Sequence, residues 1–144
     1  MSANLYETDH AAWLERQAAL LKSGCLAELD REHLAEELEW EVGNERREIY
    51  KRLRILMGHL LKWQYRPEQR SASWAGTIRV QRKDLGKLLK DNPSLRRFLA
   101  AEALDAYTDA VDLASFETGI PEADFPAENP YPLDALLDKD FWPD

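Results

Sequence analysis

The stretch Ile49-Tyr-Lys-Arg-Leu53-Arg-Ile-Leu56-Met-Gly-His-Leu60-Leu-Lys-Trp63 decides the fold. Its apolar residues Ile49, Leu53, Leu56, Leu60 and Trp63 recur at steps of four, three, four and three. That recurrence belongs to one face of an α-helix, not to the alternation of a strand. A stripe of this kind is stable only when it packs against other helices. Upstream, Leu34 and Leu38 continue it less regularly, and Asp30 is a good N-cap. A helix is therefore predicted over 31–65. Its weak point is Val42-Gly43-Asn44, where glycine costs about 1 kcal/mol relative to alanine. One continuous helix is preferred over two. Pro67 closes it, because the residue before a proline is driven out of helical geometry.

Outward from this element the same period repeats. A first helix is predicted over 8–23, capped by Thr8 or Asp9, with Leu14, Ala18, Leu21 and Cys25 on one stripe and Ser23-Gly24 as the stop. A third, over 71–91, carries Trp74, Ile78, Gln81, Leu85 and Leu88 and ends at Asn92-Pro93. A fourth, over 94–118, presents Leu95, Leu99, Ala103, Ala106, Ala110 and Leu113, an alanine-rich face that lets a neighbour come close. Gly119 and Pro121 end it. Residues 120–144 hold five of the seven prolines, yet they also carry Phe125, Tyr131, Leu133, Leu136, Leu137, Phe141 and Trp142. Disordered tails seldom contain so many large apolar groups. This segment is expected to wrap the bundle, with a short helix near 132–138. The reading is an all-α, four-helix-bundle-like single domain over 1–144.

Composition sets further bounds. A single cysteine, Cys25, allows no internal disulfide and suits a reducing compartment. The N-terminal residues lack the basic and apolar regions of a secretory signal, and no apolar run nears the ~20 residues of a membrane helix. A cytoplasmic, soluble chain with no membrane partner is expected. The net charge of −8 hides a segregation. Residues 1–45 carry three basic and eleven acidic side chains, residues 46–97 fifteen and four, and residues 98–144 one and twelve. The basic block is either an exposed cationic face or is neutralised by acidic helices packed beside it.

Catalytic and metal motifs are sparse. Glu7-Thr-Asp-His10 has the spacing of one carboxylate-bridged metal pair, but no second copy follows. His33 and Glu37 share a helix face, and one pair is too few ligands. No nucleophile elbow and no phosphate-cradling glycine loop occurs. The densest mixture of cations and aromatics is His59-Leu-Leu-Lys62-Trp63-Gln-Tyr65-Arg66, followed by Trp74 and Arg82. Such mixtures bind single-stranded nucleic acid, but at these helical positions they equally close a bundle.

Taken together, the motifs resemble the bacterial "domain of unknown function 29" family, known chiefly from cyanobacteria and proteobacteria. The resemblance covers nearly the whole chain. It rests on Tyr6 to Asp9 with Trp13, Leu34-Ala-Glu-Glu-Leu38, Glu45-Arg46-Arg47, His59-Leu-Leu-Lys-Trp63, Ser73-Trp74 and Thr77-Ile78. Pro93-Ser-Leu95, Tyr107, Glu117-Thr-Gly119, Phe125-Pro126, Pro130-Tyr131 and Asp140-Phe141 complete it. Asn129 stands where the family's cysteine is expected and Pro132 where a threonine-like cap is expected, so no role for that cysteine carries over. The resemblance implies an all-helical fold and no activity. It draws attention to Glu37, Arg46, His59, Lys62, Trp63 and Trp74.

The functional expectation is a protein-interaction or self-association module, with a homo-oligomer or a protein as partner, no catalysis, no cofactor and no metal. The first alternative is nucleic-acid binding by residues 46–97 through Lys62, Arg66, Arg70, Arg79 and Arg82. The second is an enzyme using Glu37, Arg46 and His59. The candidate cluster is Glu37, Arg46, His59, Lys62, Trp63, Trp74 and Arg82.

Overall fold

The computed structural model describes residues 5–144, so the first four residues of the domain expected over 1–144 lie outside it. Among the described residues every regular element is helical: α1 (Leu5–Thr8), α2 (His10–Ser23), α3 (Arg31–Tyr65), α4 (Ala72–Asp91), α5 (Leu99–Thr118) and α6 (Leu133–Leu137). Short 3-10 turns lie between them. The chain forms two compact units, Met1–Gly43 and Asn44–Asp144, and α3 contributes residues to both.

In the first unit, Asp9 caps α2 by accepting the Ala12 amide at 3.1 Å. Gly24 ends the helix with φ +78°, a left-handed value that a side chain would strain. The Gly24 and Cys25 amides then close onto the Leu21 and Leu20 carbonyls, which satisfies acceptors the helix cannot. The stripe expected to be core is not. Leu14, Ala18, Leu21 and Cys25 are exposed, and Trp13, Gln17 and Leu20 are buried instead. The buried stripe lies one residue earlier, and its middle position is polar but satisfied: Gln17 Oε1 accepts the Asp30 amide at 2.8 Å. A search for apolar spacing passes over such a position.

The second unit has a conventional core. Ile49, Leu53, Leu56 and Leu60 of α3 are fully buried, as are Ile78 and Leu85 of α4 and Ala106, Ala110 and Ala114 of α5. The alanines do what their size allows. A Cβ added at Gly58 on α3 would lie 2.7 Å from the Leu113 side chain and 3.4 Å from the Ala110 carbonyl of α5. Ser71 caps α4 through the Trp74 amide at 3.1 Å. The fourth predicted helix opens differently than expected. Pro93–Phe98 forms 3-10 turns, and α-helix begins only at Leu99.

Residues 120–144 pack on this core. Phe125, Tyr131 and Leu136 are buried. The Tyr107 hydroxyl donates to the Pro126 carbonyl at 2.6 Å, and the Tyr131 hydroxyl to Gln64 Oε1 at 2.8 Å. Among the described residues no helix is long and apolar enough to cross a membrane.

Candidate functional site

Of the seven sequence candidates, Glu37 belongs to the first unit and the other six to the second. Glu37 Oε1 accepts from the Tyr6 hydroxyl at 2.8 Å and from His10 Nε2 at 2.7 Å. Beside it, Asp30 Oδ2 accepts from Trp13 Nε1 at 3.0 Å and from His33 Nδ1 at 2.7 Å. The Tyr6 and His33 rings stack, with centroids 3.9 Å apart. Two carboxylates, two histidines and two aromatic donors thus tie α1 and α2 to the start of α3. The bond to His33 holds the Asp30 carboxyl below its ordinary range, and the bonds from His10 and Tyr6 do so for Glu37. Asp30 in turn raises the pKa of His33. Sequence spacing could not assemble this group, because Tyr6 and Glu37 stand 31 residues apart. Among the described residues no set of three or more His, Cys, Asp or Glu is placed to hold a metal ion.

In the second unit, His59, Lys62 and Trp74 come together. His59 Nδ1 donates to the Ile55 carbonyl at 2.9 Å, leaving Nε2 as an acceptor toward Lys62 Nζ at 3.5 Å. Burial lowers the pKa of His59, so the imidazole is neutral near pH 7. The ammonium of Lys62, only 4% exposed, bonds Glu117 Oε2 at 3.1 Å and lies 4.7 Å from the Trp74 ring centre. The His59 and Lys62 donors are thus directed at neighbours within the group.

Trp63 and Arg82 meet through the C-terminal segment. The Trp63 and Trp142 rings are 4.8 Å apart, with Arg70 5.0 Å from the centre of Trp63 and Arg82 5.7 Å from that of Trp142. Arg82 donates to the Leu136 and Ala135 carbonyls at 2.9 and 3.1 Å, capping α6, while Arg70 bonds the Trp63 and Pro143 carbonyls. Arg46 stands apart from these groups: it bonds Glu102 at 2.9 Å and covers the Phe98 ring.

The basic block is partly neutralised and partly open. Arg46, Arg52 and Lys62 form ion pairs with Glu102, with Glu48 and Asp84, and with Glu117. Arg79, Lys83, Lys87 and Lys90 on α4 are exposed and form no ion pair among the described residues.

A second feature escaped the sequence reading. Of the large apolar side chains left exposed, Leu14, Leu21, Leu26, Leu38, Trp40 and Val42 all belong to the first unit.

No curated protein and no solved structure matches the chain. The family model described as "Domain of unknown function DUF29" matches residues 5–142, and the chain belongs to that family.

Proposed function

We propose that this protein is a binding module whose first unit takes up a basic, amphipathic helix of a protein partner. The observation that carries this reading is the stripe Leu14–Ala18–Leu21 on α2. It has the spacing of a helix–helix seam, and it is exposed, with Leu14 at 42% and Leu21 at 53%. Monomeric proteins seldom leave contiguous apolar rows uncovered. Charge selects the occupant. Residues 1–43 carry ten acidic and three basic side chains, so a partner helix with lysine or arginine flanking its apolar stripe is complementary. A second copy of the same unit would bring like charges together.

The test uses two synthetic helical peptides with identical leucine seams, one flanked by lysine and one by glutamate. Calorimetric titration of the full chain should detect the lysine peptide and not the glutamate peptide. Leu14→Asp/Leu21→Asp should abolish that binding with unchanged helicity, since both positions are solvent-facing. Equal binding of both peptides, or binding that survives the double substitution, contradicts the reading. So does a dimer in sedimentation that Leu14→Asp/Leu21→Asp dissolves, because the occupant would then be a second copy.

A further inference from the structure

A groove of about 610 Å³ lies between α4 and the C-terminal segment of the second unit. Its wall is cationic and its floor apolar: Arg79, Arg82 and Lys83 line it with Val80, Leu137 and Trp142. Lys139 and Asp140 complete the rim and bond each other at 3.2 Å, so the single carboxylate there is already matched. Arg82 is 5% exposed, forms no ion pair within 4 Å among the described residues and has Asp138 as its nearby opposite charge, and its Nη1 is buried without a hydrogen bond. A guanidinium held in the wall with one nitrogen unbonded keeps donor capacity there.

The groove opens onto a row. Arg79, Lys83, Lys87 and Lys90 follow at steps of four, four and three, all exposed, so they share one face of α4 over ~16 Å. Gly86 lies between them and Gly76 just before Arg79, and an added Cβ at either would meet nothing within 4 Å. The face is therefore low, and it is cationic except beside Lys87, which shares a cleft with Glu48, Asp84 and Asp91. Val80 is the exposed large apolar residue on it, so it lacks the apolar stripe that a partner helix or a membrane surface would require. Trp142 is backed on its inner side by Trp63 and remains partly exposed toward the groove.

We infer that this groove and the α4 row form a binding site for single-stranded nucleic acid, with one base against Trp142 and the phosphates along Arg79, Lys83, Lys87 and Lys90. The shared chemistry is a flat ring carrying a phosphate. A rigidly backed indole offers a stacking surface that suits any base, and an unpaired cation row follows a backbone without reading sequence. The row favours a strand over a free nucleotide, because a mononucleotide would use only its groove end. This site is independent of the helix-docking face on α2.

Fluorescence anisotropy of the full chain with labelled dT12 and rU12 across a salt series tests the inference. Four phosphate contacts predict a slope of log K against log salt of about −3, at ~0.7 per phosphate for single strands. Arg79→Glu/Lys83→Glu, both exposed, should weaken binding at least tenfold and flatten the slope by about 1.4. Trp142→Ala should weaken binding about tenfold with the slope unchanged. Lys51, an exposed cation on α3, supplies the control, and Lys51→Glu should leave affinity within twofold. The inference is overturned by absence of binding at 20 mM salt, or by Lys51→Glu acting as strongly as Lys83→Glu. It is also overturned if UMP displaces rU12 at equal concentration, because the ligand would then be a free nucleotide.

Discussion

In the unit Asn44–Asp144 the seam Ile49, Leu53, Leu56 and Leu60 is sealed from solvent, and α4, α5 and the C-terminal segment close over it. In the unit Met1–Gly43 the buried residues among those described are Trp13, Gln17 and Leu20, and hydrogen bonds to Asp30 and Glu37 tie the helices together. Both units are written in the same helical period. The second uses that period to build its interior. The first turns an apolar stripe outward and relies on a polar and aromatic network. Apolar burial has no charge to titrate or to screen, whereas charge-assisted hydrogen bonds respond to pH and to ionic strength. The first unit should therefore be the softer of the two and the one that responds to solution conditions.

The largest expected effect falls on the sealed seam. Leu56→Ala should cost about 2–5 kcal/mol in chemical denaturation, because the side chain is fully buried and leaves a cavity. Leu14→Ala, the same chemistry in the exposed stripe, should change stability by no more than about 0.5 kcal/mol. Similar costs at the two positions would break the contrast.

Gly58→Ala ranks next, with a net change of no more than about 1 kcal/mol. The new methyl would reach within 2.7 Å of Leu113 Cδ2, the free end of a partly buried side chain that can turn aside, and the helix gains from losing a glycine. Thermal melting measures the balance, and a loss above about 2 kcal/mol would show that Leu113 has no room to yield.

Removing the network should act locally. Asp30→Asn weakens the bonds from Trp13 and His33 together. Amide exchange of α2 should accelerate, while that of α4 and α5 stays unchanged.

The pH responses of the two units should have opposite signs around neutrality. The pKa of His33 is raised in the fold, so its stabilisation is full below the unfolded value near 6.5 and is lost as pH rises through the higher folded value. The pKa of His59 is lowered, so the unfolded chain takes up a proton first, and stability declines as pH falls below about 6.5. Asp30 and Glu37 add a further loss in the first unit at strongly acid pH, since their folded values are depressed. Exchange rates followed between pH 5.5 and 8 in each unit measure these trends, and His59→Gln should flatten the second unit's acid side.

The sequence made the α3 seam legible because its interior positions are apolar and recur without interruption. It also made the end of α2 at Gly24 legible, since the turn needs a left-handed residue. It misread α2 itself, because Gln17 interrupts the buried stripe while Leu14, Ala18 and Leu21 imitate one. The candidate groups were legible as residue types but not as assemblies. Lys62 reads as one of the cations of the cluster over residues 59–66 and is buried against Glu117, which stands 55 residues away. Glu37 and His10 read as members of separate short-range pairs, with His33 and with Glu7, and Tyr6 as a family-motif residue, yet the three meet across α1, α2 and α3. Spacing reveals what one helix presents, and it is silent on what a second helix brings to it.

If a partner helix covers the stripe on α2, hydrogen–deuterium exchange of the full chain, alone and with the lysine-flanked helical peptide, will register it. Exchange should be faster in α2 than in α4 and α5 for the free chain, and new protection should centre on Leu14–Leu21 when the peptide is added. Equal protection of all three helices in the free chain, with no change in α2 on adding the peptide, would rule out a docking role for the first unit.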